Sequence, residues 1–234
     1  LGKVEKLKND FIERMSRELR TPLNSIIETI ISVMTNEHEA LSDAGKQSLR
    51  SALDDGTGFL RTLQNILDLW RVKQSELPVE IQEVNLRETI DEAIFSVQDE
   101  IDSKPLTVET KIDDQFPKIR TDLTKINQIL FLLLENAVKF TPGGKVVIAA
   151  HLDGDCLRCE IRDTGIGICP DDQHSIFDEF YQVDEPSSQK YAGAGLGLAL
   201  VRDLIVLLEG EISVQSEIGQ GSSFAFELPV QVVS

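Results

Sequence analysis

The sequence predicts an α-helical hairpin followed by an α/β sandwich in which one mixed sheet is covered by helices. Three observations predict this. Glycine is partitioned: of 15 glycines, four (Gly2, Gly45, Gly56, Gly58) precede residue 80 and the other eleven fall between Gly143 and Gly221. Apolar residues in the first part recur in steps of three and four, whereas the second part mixes helical spacing with short alternating stretches. A chain of 234 residues is also long enough for two cores of moderate size.

In the first part, Ile12, Met15, Leu19, Leu23, Ile26, Ile30 and Val33 draw one apolar stripe along a long helix, with a bend expected at Pro22. After the polar stretch Thr35 to Gln47 a second stripe follows, made of Leu49, Leu53, Leu60, Leu63, Leu67 and Trp70, and Leu77-Pro78 is expected to end that helix. Two helices with one apolar face each do not close a core. A hairpin that pairs with a second copy as a four-helix bundle satisfies both faces, and a helical subdomain packed on the C-terminal part is the alternative.

Beyond a connector, the pattern predicts helices over Leu86 to about Gln98, about Asp122 to Lys139, and Leu196 to Leu208. Strands are predicted at Leu106 to Lys111, Lys145 to Leu152, Leu157 to Asp163, Glu211 to Ser216 and Ser223 to Leu228. The polar segment from Ile168 to Ala192 has the length of a mobile lid. The expected division is 1–79 for the hairpin, 80–83 for a linker and 84–234 for the sandwich.

Composition excludes several functions. Forty acidic against 23 basic residues give a net charge of −17, which repels phosphate backbones and anionic lipid surfaces, so nucleic acid and membrane are poor partners. The longest unbroken apolar run, Ile129 to Leu134, is far shorter than a bilayer span. Three cysteines and no signal peptide point to a cytoplasmic location, and an opening on Leu1 reads as a piece of a longer protein. Cys156 and Cys159 have the spacing of a metal or redox pair, but three residues apart on a strand they face opposite ways. His38, His151 and His174 sit in no catalytic context and read as surface or sheet residues.

Phe11 to Asn24 (FIERMSRELRTPLN) resembles the phosphoacceptor box of two-component sensor histidine kinases, with one departure: Arg17 stands where the family carries histidine. Leu130 to Thr141 resembles the family's N-box and Asp163-Thr-Gly-Ile-Gly167 its first glycine box. Phe177-Asp-Glu-Phe-Tyr181 resembles the aromatic box, and Ala192 to Leu198 (AGAGLGL) the second glycine box. Four boxes in the right order carry more weight than a lone glycine motif, and the resemblance spans essentially the whole chain. It implies a dimerisation and phosphotransfer-like hairpin, then an ATP-binding domain of the gyrase/Hsp90/histidine-kinase type.

It also implies ATP or ADP with Mg²⁺ as cofactors. Their candidate ligands are Asn136, Lys139, Phe140, Asp163, Gly165, Gly167, Gly193, Gly195, Leu196 and Gly197, with Asn136 at the metal. The chemistry fits these residue types. A fixed Asp163 carboxylate accepts from the exocyclic amine of adenine, where guanine offers a carbonyl. Asn136 and Lys139, three apart on one helix face, supply an oxygen for Mg²⁺ and a charge for the phosphates. The glycines let the backbone approach the phosphates ahead of a helix N-terminus, which favours an anion.

The departures remove chemistry. A guanidinium has no lone pair to attack a phosphoryl group, so autophosphorylation at Arg17 is not expected. Leu132 stands where the family has its first N-box asparagine and gyrase-type ATPases a water-activating glutamate, which disfavours a gyrase-type hydrolase; Ala194 in place of a common threonine is minor. Glu18 and Thr21, which in the family assist proton transfer and orient the water that dephosphorylates a response regulator, both remain. Arg17 itself reads either as a partner for phosphoryl oxygens or as an ordinary solvated helix residue.

The expected function is thus a homodimeric, ATP- and Mg-binding signalling core that binds a response-regulator receiver domain and has lost its acceptor. Two alternatives stand: a response-regulator phosphatase using Glu18 and Thr21, and a normally active kinase whose acceptor histidine was replaced. The resemblance implies a preceding sensor domain outside this sequence, and places the chain in the cytoplasm, with or without a membrane anchor elsewhere in the protein.

Overall fold

In the computed structural model, residues 2–36, 41–74, 76–183 and 194–233 are described, with side chains from residue 19 onward. The chain forms two compact units, Leu1–Lys73 and Gln74–Ser234.

The first unit is a helical hairpin of α1 (Gly2–Asn36) and α2 (Asp43–Lys73). Helical assignment continues through Pro22 without a break. The facing stripes meet at Gly56, where an added Cβ would lie 3.3 Å from Ile27 Cγ1 and 3.8 Å from Leu23 Cδ1, so the missing side chain lets the helices approach. Arg20 donates across the hairpin to Gln64. Leu19, Ile26, Ile31 and Phe59 stay exposed. The second helix stops at Lys73, four residues before the expected Leu77.

The second unit contains two sheets where the sequence predicted one. A small sheet of order β1-β3-β8 joins β1 (Gln82–Val84), β3 (Ile119–Thr121) and β8 (Gln231–Val232). The expected linker 80–83 therefore runs into a strand, and the unit boundary falls earlier, after Lys73. A five-stranded sheet of order β2-β4-β5-β7-β6 is built from β2 (Leu106–Ile112), β4 (Gly144–Asp153), β5 (Cys156–Asp163), β7 (Gly221–Pro229) and β6 (Glu211–Glu217). Strands β2 and β4 are parallel and the other pairs antiparallel.

Alternation along these strands sends one set of side chains inward. Cross-strand register stacks them in rows, Ala150–Cys159–Phe226–Ile212 and Ile148–Ile161–Phe224–Val214. The opposite face carries Lys145, His151, Arg158, Glu160, Arg162 and Glu227 toward water, so helices cover one face only. Those helices are α3 (Leu86–Phe95), the short α4 (Gln98–Asp102), α5 (Leu123–Lys139) and α6 (Gly197–Leu207). The single helix expected from Leu86 to Gln98 is broken after Phe95, and Val97 turns inward as a buried residue. Helix α5 is the centre of the layer: Ile126, Ile129, Leu130, Leu133 and Leu134 are all buried, and it packs against both α3 and α6.

Candidate functional site

The site grows from the end of β5. Its last residue, Asp163, is 5% exposed, and its Oδ1 accepts from the Gly165 amide at 2.8 Å and the Ser222 amide at 3.2 Å. Oδ2 accepts nothing from the described residues. Burial raises the Asp163 pKa, and the two amides only partly offset that. A carboxylate with one oxygen locked by backbone and the other free is a positioned acceptor.

The turn beyond it exists because Gly165 has no side chain. An added Cβ would meet the Phe140 carbonyl oxygen at 2.3 Å, and that carbonyl accepts from the Ile166 amide at 3.2 Å. The first glycine box is thereby pinned to the C-terminal end of α5. One residue beyond Phe140, the fully buried Thr141 hydroxyl is left without a hydrogen-bond partner. A buried orphan hydroxyl is costly unless a ligand or water completes it.

Two further boxes converge on the same region. Asn136 Nδ2 lies 4.0 Å and Leu132 Cδ2 3.8 Å from where a Gly197 Cβ would be, so the N-box faces the first residue of α6. That helix has no side-chain cap; its N-cap is the buried Leu196, which leaves first-turn amides to a ligand. Lys139 follows one turn after Asn136. Burial holds its pKa below the ordinary lysine value, against the pull of Glu135 and Glu100. Desolvated amines of this kind gain most from an incoming polyanion.

The aromatic box touches the second glycine box. Gly195 adopts a left-handed φ of +67°, its carbonyl accepts from the Phe180 amide at 2.9 Å, and a Cβ there would collide with the Tyr181 carbonyl oxygen at 2.6 Å. Phe177 packs edge-on against Phe224 at 6.4 Å. The described half of the expected lid, residues 168–183, is a set of bonded turns around the short 3₁₀ helix Ser175–Phe177, closed by a 2.5 Å bond from the Tyr181 hydroxyl to Asp172. Residues 184–193, including Gly193, lie outside the described residues. So do His38 and the side chains of Arg17 and Glu18, although both positions fall within α1. Thr21 is exposed on the same helix.

The cysteine and histidine positions singled out in the sequence are placed as follows. Cys159 is buried, its thiol pushed up to about 12 by desolvation and Glu160, while Cys156 points the other way. His151 and His174 are exposed. Among the described residues no group of three or more His, Cys, Asp or Glu could hold a metal, and no helix is long and apolar enough to cross a membrane. Sequence reasoning missed Ser222, whose amide fixes Asp163 across 59 residues with no local signal, and the orphan hydroxyl of Thr141.

A one-faced mixed sheet, a buried aspartate at the end of its central strand and glycine turns beside an uncapped helix define a nucleotide-binding domain. Residues 121–232 match the family described as histidine kinase-, DNA gyrase B-, and HSP90-like ATPase. The chain is 35% identical over 237 residues to the autoinducer 2 sensor kinase/phosphatase LuxQ of Vibrio vulnificus strain YJ016, covering 97% of this chain and 27% of that protein. It is 33% identical over 225 residues to the sensor histidine kinase RcsC of Salmonella typhimurium, covering 95% of this chain and 23% of that one. A full-length ShkA structure in complex with AMPPNP superposes with a TM-score of 0.78 at 27% identity, over 96% of this chain and 46% of that chain. These likenesses support an ATP-binding core of the sensor histidine kinase kind, and the chain spans about a quarter of the length of the curated relatives it matches.

Proposed function

We propose that this chain is the dimeric, nucleotide-binding transmitter core of a two-component sensor and that it does not phosphorylate itself at position 17. The observation that carries the nucleotide reading is the half-satisfied, buried Asp163 carboxylate, with Oδ1 held by two amides. Its free oxygen takes the adenine amine. The uncapped start of α6 and the desolvated Lys139 would receive the phosphates, and Asn136 would hold Mg²⁺ through its amide oxygen, the hard donor that ion prefers. Thr141 and the glycine turns fit a polar ligand approaching backbone. A Mg²⁺–nucleotide, when bound, supplies the γ-phosphoryl group and the charge that balances it.

Beyond binding, the chain's own residues limit the chemistry. Arg17 is all donor, so no phosphoramidate forms there; its fork instead suits phosphoryl oxygens. Leu132, buried beside Asn136 and Gly197, has no polar atom with which to activate water. The exposed Leu19, Ile26, Ile31 and Phe59 of the hairpin support pairing with a second copy. Thr21 is exposed one turn from position 17, where it would contact a receiver domain and orient a hydrolytic water, the phosphatase reading.

The test is titration with Mg-ATP by calorimetry, together with incubation with γ-labelled ATP. ATP binding is expected without acid-labile label on the chain. Absence of binding overturns the nucleotide reading, and label at position 17 overturns the acceptor-minus reading.

A further inference from the structure

We propose that Ser216 is a positioning residue for the nucleotide site: its hydroxyl ties the root of the loop after the first glycine box to the strand end that holds Asp163. The inference rests on the nucleotide reading but concerns residues outside the five boxes.

Ser216 lies near the end of β6, opposite Ser222 on β7. Its Oγ has three partners: the Ile168 amide at 2.8 Å, the Gly221 carbonyl at 2.9 Å and the Ser222 hydroxyl at 2.9 Å. A hydroxyl has one proton and two lone pairs, so the partners fill its capacity. The Gly221 carbonyl accepts only, so it receives the Ser216 proton. The third contact then runs from the Ser222 hydroxyl to Ser216, which commits the Ser222 proton and leaves its oxygen an acceptor.

The loop side is closed as tightly. The two Gln173 amide hydrogens go to the Ser216 carbonyl at 2.8 Å and the Ile168 carbonyl at 3.2 Å. Ile168 therefore has both backbone groups fixed, one by each end of the same pair. Just before it, the Ile166 carbonyl accepts from the Gly219 amide at 2.8 Å, so the β6–β7 turn underlies the whole glycine loop. From Ser222 the chain of bonds reaches the site itself, since the Ser222 amide is one of the two donors on Asp163 Oδ1. Loop root, turn and adenine carboxylate share one hydroxyl.

The test compares Ser216→Ala with Ser216→Thr, which keeps the hydroxyl on a β-branched residue suited to a strand. Ser216→Ala is expected to weaken Mg-ATP binding about 10-fold, chiefly through faster dissociation, and Ser216→Thr to stay within about 2-fold of the parent. In the nucleotide-free protein, amide hydrogen exchange at Ile168 and Ser222 should accelerate in Ser216→Ala while that at Ile148, in the sheet core, is unchanged. Equal ATP affinity in parent and Ser216→Ala, no rescue by Thr, or exchange that is unchanged or speeds everywhere overturns the proposal. A parent protein that binds no ATP overturns the nucleotide reading instead, and the exchange measurement still decides the role of Ser216.

Discussion

Asp122 and Asp163 are the same residue in similar positions, one just after a strand and capping a helix, the other ending a strand before a turn, and they are 1% and 5% exposed. Asp122 is satisfied on both oxygens. Oδ1 accepts from the Lys125 amide at 3.0 Å, capping α5, and Oδ2 takes the Lys125 ammonium at 2.6 Å and the Glu80 amide at 2.8 Å. Lys125 also donates to the Pro78 carbonyl at 2.5 Å, so the pair clasps the incoming connector. Burial pushes the Asp122 carboxyl upward, yet the bonds from Lys125 and Glu80 outweigh it and hold its pKa below the ordinary value. Among the described residues Asp163 has two amide donors, no cation and one oxygen without a partner, and its pKa is raised. Under the same burial the pKa is lowered where partners are complete and raised where one oxygen has none among the described residues.

Breaking the clasp should have the largest effect. Asp122→Ala strands a buried ammonium and is expected to cost about 3 kcal/mol of stability, read as a lower urea midpoint with unchanged slope. Because the folded-state pKa is depressed, the contribution of this carboxylate is present above the unfolded pKa and lost as pH falls through the folded value. Parent and variant stabilities should therefore converge in acid.

Asp163→Asn sharpens the contrast from the other side. It keeps an acceptor for the two amides but turns an NH₂ toward the ligand amine, and is expected to weaken ATP binding by about 100-fold. Its effect on stability has the opposite sign. A raised pKa means the carboxyl's favourable contribution is present below the unfolded pKa and lost as pH rises through the folded value, so at neutral pH the charge is a cost. The variant should melt higher than the parent at pH 7, with the gain shrinking as pH falls through the raised Asp163 pKa. A variant that neither loses affinity nor gains stability would make Asp163 an ordinary turn aspartate.

The smallest effect is expected at Lys139, which like Asp163 is held away from its ordinary pKa by burial but carries the opposite charge. Bound phosphates should restore its proton, so nucleotide binding takes up protons on the alkaline side. Calorimetry in buffers of different ionisation enthalpy reads this directly, and Lys139→Met should abolish the uptake with about a 10-fold loss of affinity.

The long, periodic elements were legible because burial of one face imposes a period on residue type. The helix from Leu123 to Lys139 and the strands through Ile148, Ile161 and Phe224 fall where spacing places them. Residue type likewise placed Asp163 at a strand end that meets a glycine turn, since turns and backbone approach demand particular residues locally. Tertiary structure alone decided the rest. Strands Gln82–Val84, Ile119–Thr121 and Gln231–Val232 are too short to carry a period and exist only because they pair with one another. Whether a buried aspartate is clasped or left half-free depends on Lys125 three residues away in one case and Ser222 59 residues away in the other. Local spacing encodes which face a residue presents, but the distant donors that complete each carboxylate, the Glu80 amide on Asp122 and the Ser222 amide on Asp163, are brought in only by folding.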